Sequence, residues 1–224
     1  MRIKLTAALL LGASVLSAAT DAPERLQAAA DALKEVMDMP DKAIPQDLLN
    51  KAECVVIVPD LKKGAFIVGA KYGKGFVTCR KKGGVGWSAP GSIRVEGGSV
   101  GFQIGGSEMD VFMLVMNQRG ADRLLRNKFT LGGDATVAAG PVGRTAEAQT
   151  DARMTAEILT WSRSRGLFAG VALNGATLRE DEDWNRDLYG KALKNRDIVL
   201  NNAAPAPKAA AALLSDLDRY SSRK

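Results

Sequence analysis

A run of basic side chains is the most distinctive chemical feature of the sequence. Between Leu61 and Val95 it carries eight lysines and arginines and no acidic residue. Clustered cations are attracted to an anionic bilayer by about 1 kcal/mol each, and an interfacial tryptophan adds an anchor. The alternative is a solvated hairpin edge on which lysines prevent aggregation. The candidate binding residues are Lys62, Lys63, Lys71, Lys74, Arg80, Lys81, Lys82 and Trp87.

The sequence contains no histidine, which removes several classes of catalysis at once. Ser-His-Asp and Cys-His chemistry, zinc–histidine sites and the usual proton shuttle near neutral pH all need an imidazole. In the run 162–165, serines alternate with Arg163 and Arg165, so a strand there would point the two arginines to one face. Arg144 is a further candidate for a buried ion pair or a headgroup contact. We predict no catalytic residues and no metal ligands.

Glycines could instead cradle a phosphate, since 13 of the 23 lie between Gly64 and Gly106. A dinucleotide-binding fingerprint needs a third glycine after Gly73 and Gly75, and Thr78 occupies that position. The run 64–71 resembles a P-loop but has Ala70 where the lysine is required. No nucleotide motif remains and no cofactor is expected. We predict turns and bulges, where glycine adopts positive φ at little cost.

The acidic run Glu180–Asp187 offers a calcium loop as one interpretation. Its first three ligand positions match, but Arg186 replaces the required glycine and Ala192 the bidentate glutamate. We therefore predict the acidic start of a helix, which the helix dipole favours. Aromatic residues make up only 5% of the chain, which argues against a stacking platform for single-stranded nucleic acid.

The first nineteen residues have the three parts of a secretory signal peptide. Arg2 and Lys4 precede an apolar run that is too short to span a bilayer, and small residues follow it. Removing this segment would leave 29 basic against 25 acidic residues. We predict an exported protein, periplasmic or secreted and peripherally membrane-associated. Export makes a disulfide between Cys54 and Cys79 one alternative, and two buried thiols are the other.

Segments with helical periodicity flank a β region in which glycines separate short apolar stretches. Asp21 with Glu24 predicts a helix start, and Pro40 stops that helix. A short helix, a β-branched strand closed by Pro59 and an antiparallel meander then follow, up to a helix that starts at Asn117. After a glycine-rich connection comes a second β block with a hairpin turn at Asn174-Gly175. An acidic helix and a linker with a loosely attached terminal helix complete the chain.

Six short segments of the chain form a distinctive combination. They are "GKGFVTCR" at 73–80, "WSAP" at 87–90, "GSVGFQIG" at 98–105, "AAGPVGR" at 138–144, "SRSRGLFAG" at 162–170 and "NRDLYG" at 185–190. In combination they resemble the SYLF domain family, also described as Ysc-type actin-binding or DUF500-like. The resemblance covers residues 44–191 and implies binding of anionic lipid headgroups, phosphoinositides in eukaryotic relatives, with actin association in fungal ones. It implies no catalytic residues.

Residues and resemblance together predict an α+β fold with a glycine-rich, strongly bent antiparallel β-sheet or barrel-like core and flanking helices. The expected function is non-enzymatic binding of an anionic phospholipid membrane surface through a basic strand-and-turn face. A periplasmic structural or protein-interaction module with an acidic partner or envelope polymer is the alternative. Export makes actin an unlikely partner, and nucleic acid is not expected. The predicted divisions are a signal peptide (1–19), an N-terminal helix (20–43), the SYLF-like domain (44–200) and an Ala/Pro-rich tail (201–224).

Overall fold

The computed structural model describes residues 21–40, 42–65, 68–83, 85–100, 105–143 and 155–221. The predicted signal peptide, residues 1–19, lies outside this part of the chain, and so does Arg144. Within it, no helix combines the length and the apolar character that crossing a bilayer requires.

Nine described strands form one curled sheet that resembles half a barrel. The strand order is β5-β9-β3-β2-β1-β4-β7-β6, with β8 paired to β7. Neighbours are antiparallel except for β6 and β7. The predicted α+β class with a strongly bent sheet is confirmed. The strands are β1 Cys54–Ala65, β2 Val68–Cys79, β3 Gly91–Val100, β4 Gly105–Val115, β5 Lys128–Thr130, β6 Val137–Ala139, β7 Ile158–Ser164, β8 Leu167–Gly170 and β9 Thr177–Glu180.

Six α-helices in the described residues cover the two faces of the sheet. Two of them begin at the predicted caps: the Asp21 side chain accepts a hydrogen bond from the Glu24 N–H, and Asn117 accepts one from Gly120. These bonds satisfy amides that have no partner within the helix. The helices are α1 Ala22–Met37, α2 Gln46–Lys51, α3 Gln118–Leu124, α4 Glu182–Tyr189, α5 Asn195–Asn201 and α6 Ala211–Tyr220.

Alternation along the strands divides the interior into two apolar layers. In β1, Val55 and Ile57 pack with α1 and α6 on one side of the sheet. Val56 and Val58 pack with α3 and α5 on the other side. Because side chains alternate between faces, both faces of this strand are buried and its sequence is continuously apolar.

The end of β1 differs from the prediction. The strand does not end at Pro59 but continues to Ala65, and its register shifts between Val58 and Leu61. Asp60 takes a positive φ of 47° at this bulge. A bulge lets the strand pass through a residue that cannot donate to the ladder, which explains why Pro59 does not terminate it.

Two further connections differ from expectation. Asn174-Gly175 forms a turn, with a Gly175 φ of 78°, but β8 and β9 do not pair there, because β9 lies between β3 and β5. The segment predicted only as a glycine-rich connection contributes to two short strands, β5 and β6.

The terminal helix α6 is not loosely attached. Leu213 and Leu217 are fully buried, and α6 packs on α1. The Tyr220 hydroxyl donates to Asp38, the residue that ends α1, over 2.8 Å. The apolar stripe of α6 therefore belongs to the main core rather than to a mobile tail.

The acidic run forms the start of α4, as predicted. Asp181 is buried; its Oδ1 accepts from the Trp184 N–H, and its Oδ2 lies 2.8 Å from Lys74 Nζ. Asn185 is also buried, accepting from the Ser92 N–H and donating to Leu193 O. The side-chain oxygens of Asp181 and Asn185 therefore already have partners that hold α4 in place. A calcium ion would need these oxygens as ligands.

The prediction that glycines adopt positive φ in turns and bulges holds only for the turns. Gly83 and Gly86 have positive φ, as expected. The described glycines of β3 and β4, by contrast, lie in strands and are absent from the positive-φ positions of the described chain. What glycine contributes inside the strands is therefore the lack of a side chain and not its conformational freedom.

Candidate functional site: two basic ends of the sheet

The basic run between Leu61 and Val95 does not form one face. Strands β1 and β2 pair from Cys54↔Cys79 at one end to Ala65↔Gly69 at the other. Lys71 and Arg80 are nine positions apart, which is roughly 30 Å along an extended strand. The structure thus divides the predicted site into a hairpin-tip end, comprising Lys62, Lys63, Lys71 and Tyr72, and a disulfide end, comprising Arg80, Lys81, Lys82 and Trp87.

At the hairpin-tip end, two lysines face each other across neighbouring strands. Lys63 on β1 is the direct register partner of Lys71 on β2. Burial, followed by the charge of Lys63, lowers the pKa of Lys71 below its ordinary value. Like charges directly opposite each other destabilise a sheet. An anion placed between the two ammonium groups would relieve that repulsion.

The opposite face of the same strands carries Lys62, Tyr72 and Glu108. Tyr72 and Glu108 are the register partners of Lys62 on its two sides. The Lys62 Nζ lies 3.7 Å from Glu108 Oε1, and both side chains are more than 60% exposed, so this pair contributes little stability. Tyr72 is 49% exposed. This face offers a cation and an aromatic ring to solvent.

A groove at the hairpin-tip end has a floor of bare backbone. Gly64 and Gly106 are register partners in its floor, and a Cβ at either position would meet no atom within 4 Å. Packing therefore does not require glycine there, and such strand glycines are typical of sites where another surface approaches closely. Among the described residues that line the groove, three are cations and one is a carboxylate: Lys62, Lys63, Arg165 and Glu108.

Lys74 does not belong to either exposed end. Its Nζ pairs with the buried carboxylate of Asp181 and lies 4.5 Å from the centre of the Trp184 ring. The side chain is only 25% exposed. The Lys74 ammonium therefore neutralises a buried carboxylate, and Lys74 does not belong to an exposed basic surface.

Arg80 and Trp87 at the disulfide end are buried, with exposures of 7% and 2%. The guanidinium lies 3.9 Å from the centre of the Trp87 ring, and its Nη2 donates to Leu49 O and to Ser221 Oγ. The prediction that Trp87 is an interfacial anchor is wrong, because its ring forms the support for Arg80. The pair joins β2 to α2 and to the end of α6.

Lys81 and Lys82 are exposed beside a cleft of about 500 Å³. The cleft carries both signs of charge, since Glu53 and Asp122 line it too, and Arg196 lies 3.5 Å from Asp122. The described lining of this cleft contains two carboxylates, whereas that of the groove at the hairpin-tip end contains one.

Cys54 and Cys79 are joined by a disulfide at this end of β1 and β2. They are register partners with Cα atoms 3.9 Å apart, and both are buried. Of the two alternatives left open by the sequence, the structure contains the bonded one. A crosslink that closes a segment of this length stabilises a fold by about 3 kcal/mol.

Arg165 and Leu167 were missed as surface candidates by sequence reasoning. Arg163 lies in β7 and pairs with Asp110 at 2.6 Å, and with Glu35 of α1. Arg165, expected on the same strand face, instead occupies the β7–β8 turn and reaches the groove at the hairpin-tip end.

Comparison with known proteins identifies the family. A model of the Ysc84 family, described as "Las17-binding protein actin regulator", matches residues 96–220. Human SH3 domain-containing YSC84-like protein 1 is 37% identical over 185 residues, 82% of this chain and 53% of that protein. Yeast LAS seventeen-binding protein 3 is 35% identical over 171 residues, 75% of this chain and 37% of that protein. The chain belongs to the Ysc84 (SYLF) family. The resemblance read from the sequence is confirmed.

This SYLF domain spans about half the length of the human relative and less of the yeast one. The family is one of binding and regulatory domains and not of enzymes.

Several motif residues of the SYLF domain have structural roles. Ser88 of "WSAP" accepts from the Cys79 N–H. Gly140 of "AAGPVGR" lies against Trp161, where a Cβ would come within 2.0 Å of the ring, and the Trp161 indole donates to Pro141 O. Asn185 of "NRDLYG" holds α4 on β3. These three motifs therefore stabilise the fold, and candidate binding residues are better sought from exposure and charge.

Proposed function

We propose that this SYLF domain is a non-enzymatic module that binds anionic, phosphoinositide-like lipid headgroups at the hairpin-tip end of its sheet. One observation carries the proposal: the hairpin tip presents cations on both faces, with Lys63 directly opposed to Lys71 on one face and Lys62 beside the glycine-floored groove on the other. Directly opposed cations are unfavourable for the isolated fold, and a layer of anionic headgroups around the tip compensates for them.

The disulfide end is less suited to this role. Arg80 and Trp87 are buried, and two carboxylates share the adjoining cleft with its cations. It provides a matched control, because Lys81 and Lys82 are also exposed and belong to the same basic run.

The test is flotation of the folded protein with phosphatidylcholine vesicles, prepared with and without an anionic lipid. Changing Lys62, Lys63 and Lys71 to glutamate should weaken binding to anionic vesicles by at least about a hundredfold, since each lysine near the surface contributes about 1 kcal/mol and each glutamate adds repulsion. Changing Lys81 and Lys82 to glutamate should have a much smaller effect. Rising salt should weaken binding by the parent, because exposed charges are screened over a Debye length of about 8 Å at physiological ionic strength.

Comparison of the two charge reversals decides the assignment. Equal binding by the parent and the hairpin-tip variant would exclude the proposed surface. If the folded parent binds no anionic vesicle at all, the domain is instead a protein-interaction module. The family description, which names a protein partner, favours that second candidate function. An acidic peptide or envelope polymer is then the ligand to test.

The proposal includes export from the cytoplasm, to a periplasmic or extracellular location in which actin is not the partner. It is supported by the three-part pattern of residues 1–19 and is consistent with the bonded pair Cys54–Cys79. The mature chain should begin near Thr20, which the intact mass of protein recovered from the exported fraction will measure. A mass that still includes residues 1–19 would contradict export with cleavage.

A further inference from the structure

The turn between β7 and β8 carries an arginine in a conformation that arginine rarely adopts. Ser164 and Leu167 are register partners, so Arg165 and Gly166 form a two-residue hairpin loop. Both have positive φ, 49° and 76° respectively, as in a type I′ turn. The first position of such a turn strongly favours asparagine, aspartate or glycine, because their backbones tolerate the left-handed region. Arginine there is a local cost to the fold.

Leu167 follows this turn and is 72% exposed, more than the other described large apolar side chains. Its exposure does not come from a loose hairpin. The next residue, Phe168, is buried and packs edge-to-face on Phe112 with ring centres 6.1 Å apart. The Ser164 hydroxyl donates to Glu108 O over 3.0 Å. The contacts of Phe168 and Ser164 therefore fix the hairpin to the sheet, while Leu167 points away from the core.

The position of the turn connects it to the hairpin-tip end. Arg163 is the register partner of Asp110 on β4, so Arg165 lies beyond the last pair, next to Glu108. Arg165 also lines the groove that contains Lys62 and Lys63. A surface that rests on the lysines therefore meets the β7–β8 turn as well. A single exposed leucine is ordinary, but one beside a cation cluster has the composition of an interfacial anchor.

We propose that the β7–β8 hairpin is an apolar wedge that enters the anionic bilayer beside the lysines, with Leu167 among the acyl chains and Arg165 at the lipid phosphates. This inference rests on the proposed function, and it adds a component of binding that salt does not screen. Strain stored at a non-glycine residue is typical of functional sites, which accounts for an arginine at this turn.

Two substitutions separate a membrane role from a structural one. Leu167→Ser should weaken binding to anionic vesicles about fivefold, as expected for losing the transfer of about half a leucine side chain, and should remove the binding that remains at high salt. Arg165→Asn should lower vesicle affinity while the melting temperature is unchanged or raised, because asparagine suits the turn. The matched control is Val85→Ser at the disulfide end, where Val85 is 65% exposed. It should bind as the parent does.

A direct measurement uses Leu167→Trp with vesicles that carry brominated acyl chains. The native tryptophans 87, 161 and 184 are all buried, so a quenchable signal would come from position 167. Quenching on binding is the expected result. Parent-like affinity of both substitutions, or vesicle binding without quenching, would overturn the wedge while leaving the lysine surface intact. Failure of the parent to bind anionic vesicles would instead reject the proposed function itself.

Discussion

Arg80 at the disulfide end lies over the Trp87 ring and is 7% exposed, whereas Lys62 at the hairpin tip leaves 68% of its side chain in solvent. Both belong to one basic run in the sequence. At the disulfide end, the cation and the aromatic ring connect β2 with α2 and with the end of α6. At the hairpin tip, Lys63 and Lys71 face each other, and the described residues that line the groove with Gly64 and Gly106 come from strands and a turn, with none from a helix. The same residue types thus stabilise the fold at one end and lie at the surface at the other.

The glycines differ between regions in the same way. A Cβ at Gly75 would come within 2.1 Å of Ile57 O, and one at Gly140 within 2.0 Å of the Trp161 ring. A Cβ at Gly64 or Gly106 would meet nothing. Glycine in the middle of the sheet permits close packing, whereas glycine at the tip leaves open space.

The largest effect expected from this comparison is on stability. Gly75→Ala or Gly140→Ala should lower the free energy of unfolding by about 3 kcal/mol or more, since backbone or a buried ring must move to admit the methyl group. Gly64→Ala and Gly106→Ala should change it by about 0.5 kcal/mol or less, with a small gain possible because alanine loses less chain entropy. Urea denaturation of the four variants measures the contrast. Equal losses at all four positions would contradict the division into packed and open glycines.

Arg80 gives the next largest effect. Arg80→Ala should destabilise the protein by about 2 kcal/mol, because Leu49 O and Ser221 Oγ lose a charged donor and Trp87 loses its stacked partner. The sequence, by contrast, indicated Arg80 only as a candidate surface residue for lipid binding. The neighbouring exposed Lys81→Ala should change stability by less than about 0.5 kcal/mol. Thermal unfolding of both variants tests the pair, and a stable, fully folded Arg80→Ala protein would show that the buried contact is dispensable.

Local signals in the sequence correctly predicted local structure. Asp21 and Asn117 could be predicted as helix caps because each is a short polar residue directly before a segment with helical periodicity. The short apolar segments separated by glycine correctly indicated a bent antiparallel sheet. These features depend on neighbouring residues, which a single sequence displays directly.

The binding surface was harder to derive because it depends on distant contacts. The burial of Arg80 requires Ser221, 141 residues further along the chain. Counting charges in a window could not show that twelve-residue strands carry Lys71 and Arg80 to opposite ends. Arg165 was placed in a strand because alternation continued through it, and only its pairing pattern reveals the turn.

The smallest expected effect concerns the opposed lysines, and it connects stability with binding. Lys71→Gln should raise the free energy of unfolding by about 0.5 kcal/mol or less at neutral pH, since a like-charge pair directly opposite in a sheet is unfavourable. The same change should weaken binding to anionic vesicles, because it removes one cation. A gain in stability together with a loss of affinity is the result expected when a residue serves ligand binding at the expense of stability.

The stability gained by Lys71→Gln should depend on pH, and the lowered pKa of Lys71 determines the direction of that dependence. Burial and the charge of Lys63 hold the pKa of Lys71 below its usual 10.5, so protonation of Lys71 opposes folding. The penalty is fully present below the lowered pKa and disappears as pH rises from there towards the unfolded value, where the parent regains stability. The advantage of Lys71→Gln should therefore be largest at neutral pH and shrink in alkaline solution. Urea denaturation at both pH values measures it, with Lys82→Gln at the disulfide end as the control that should show no advantage at either. An advantage of Lys71→Gln that persisted unchanged into alkaline solution would mean that charge repulsion between Lys63 and Lys71 is not its cause.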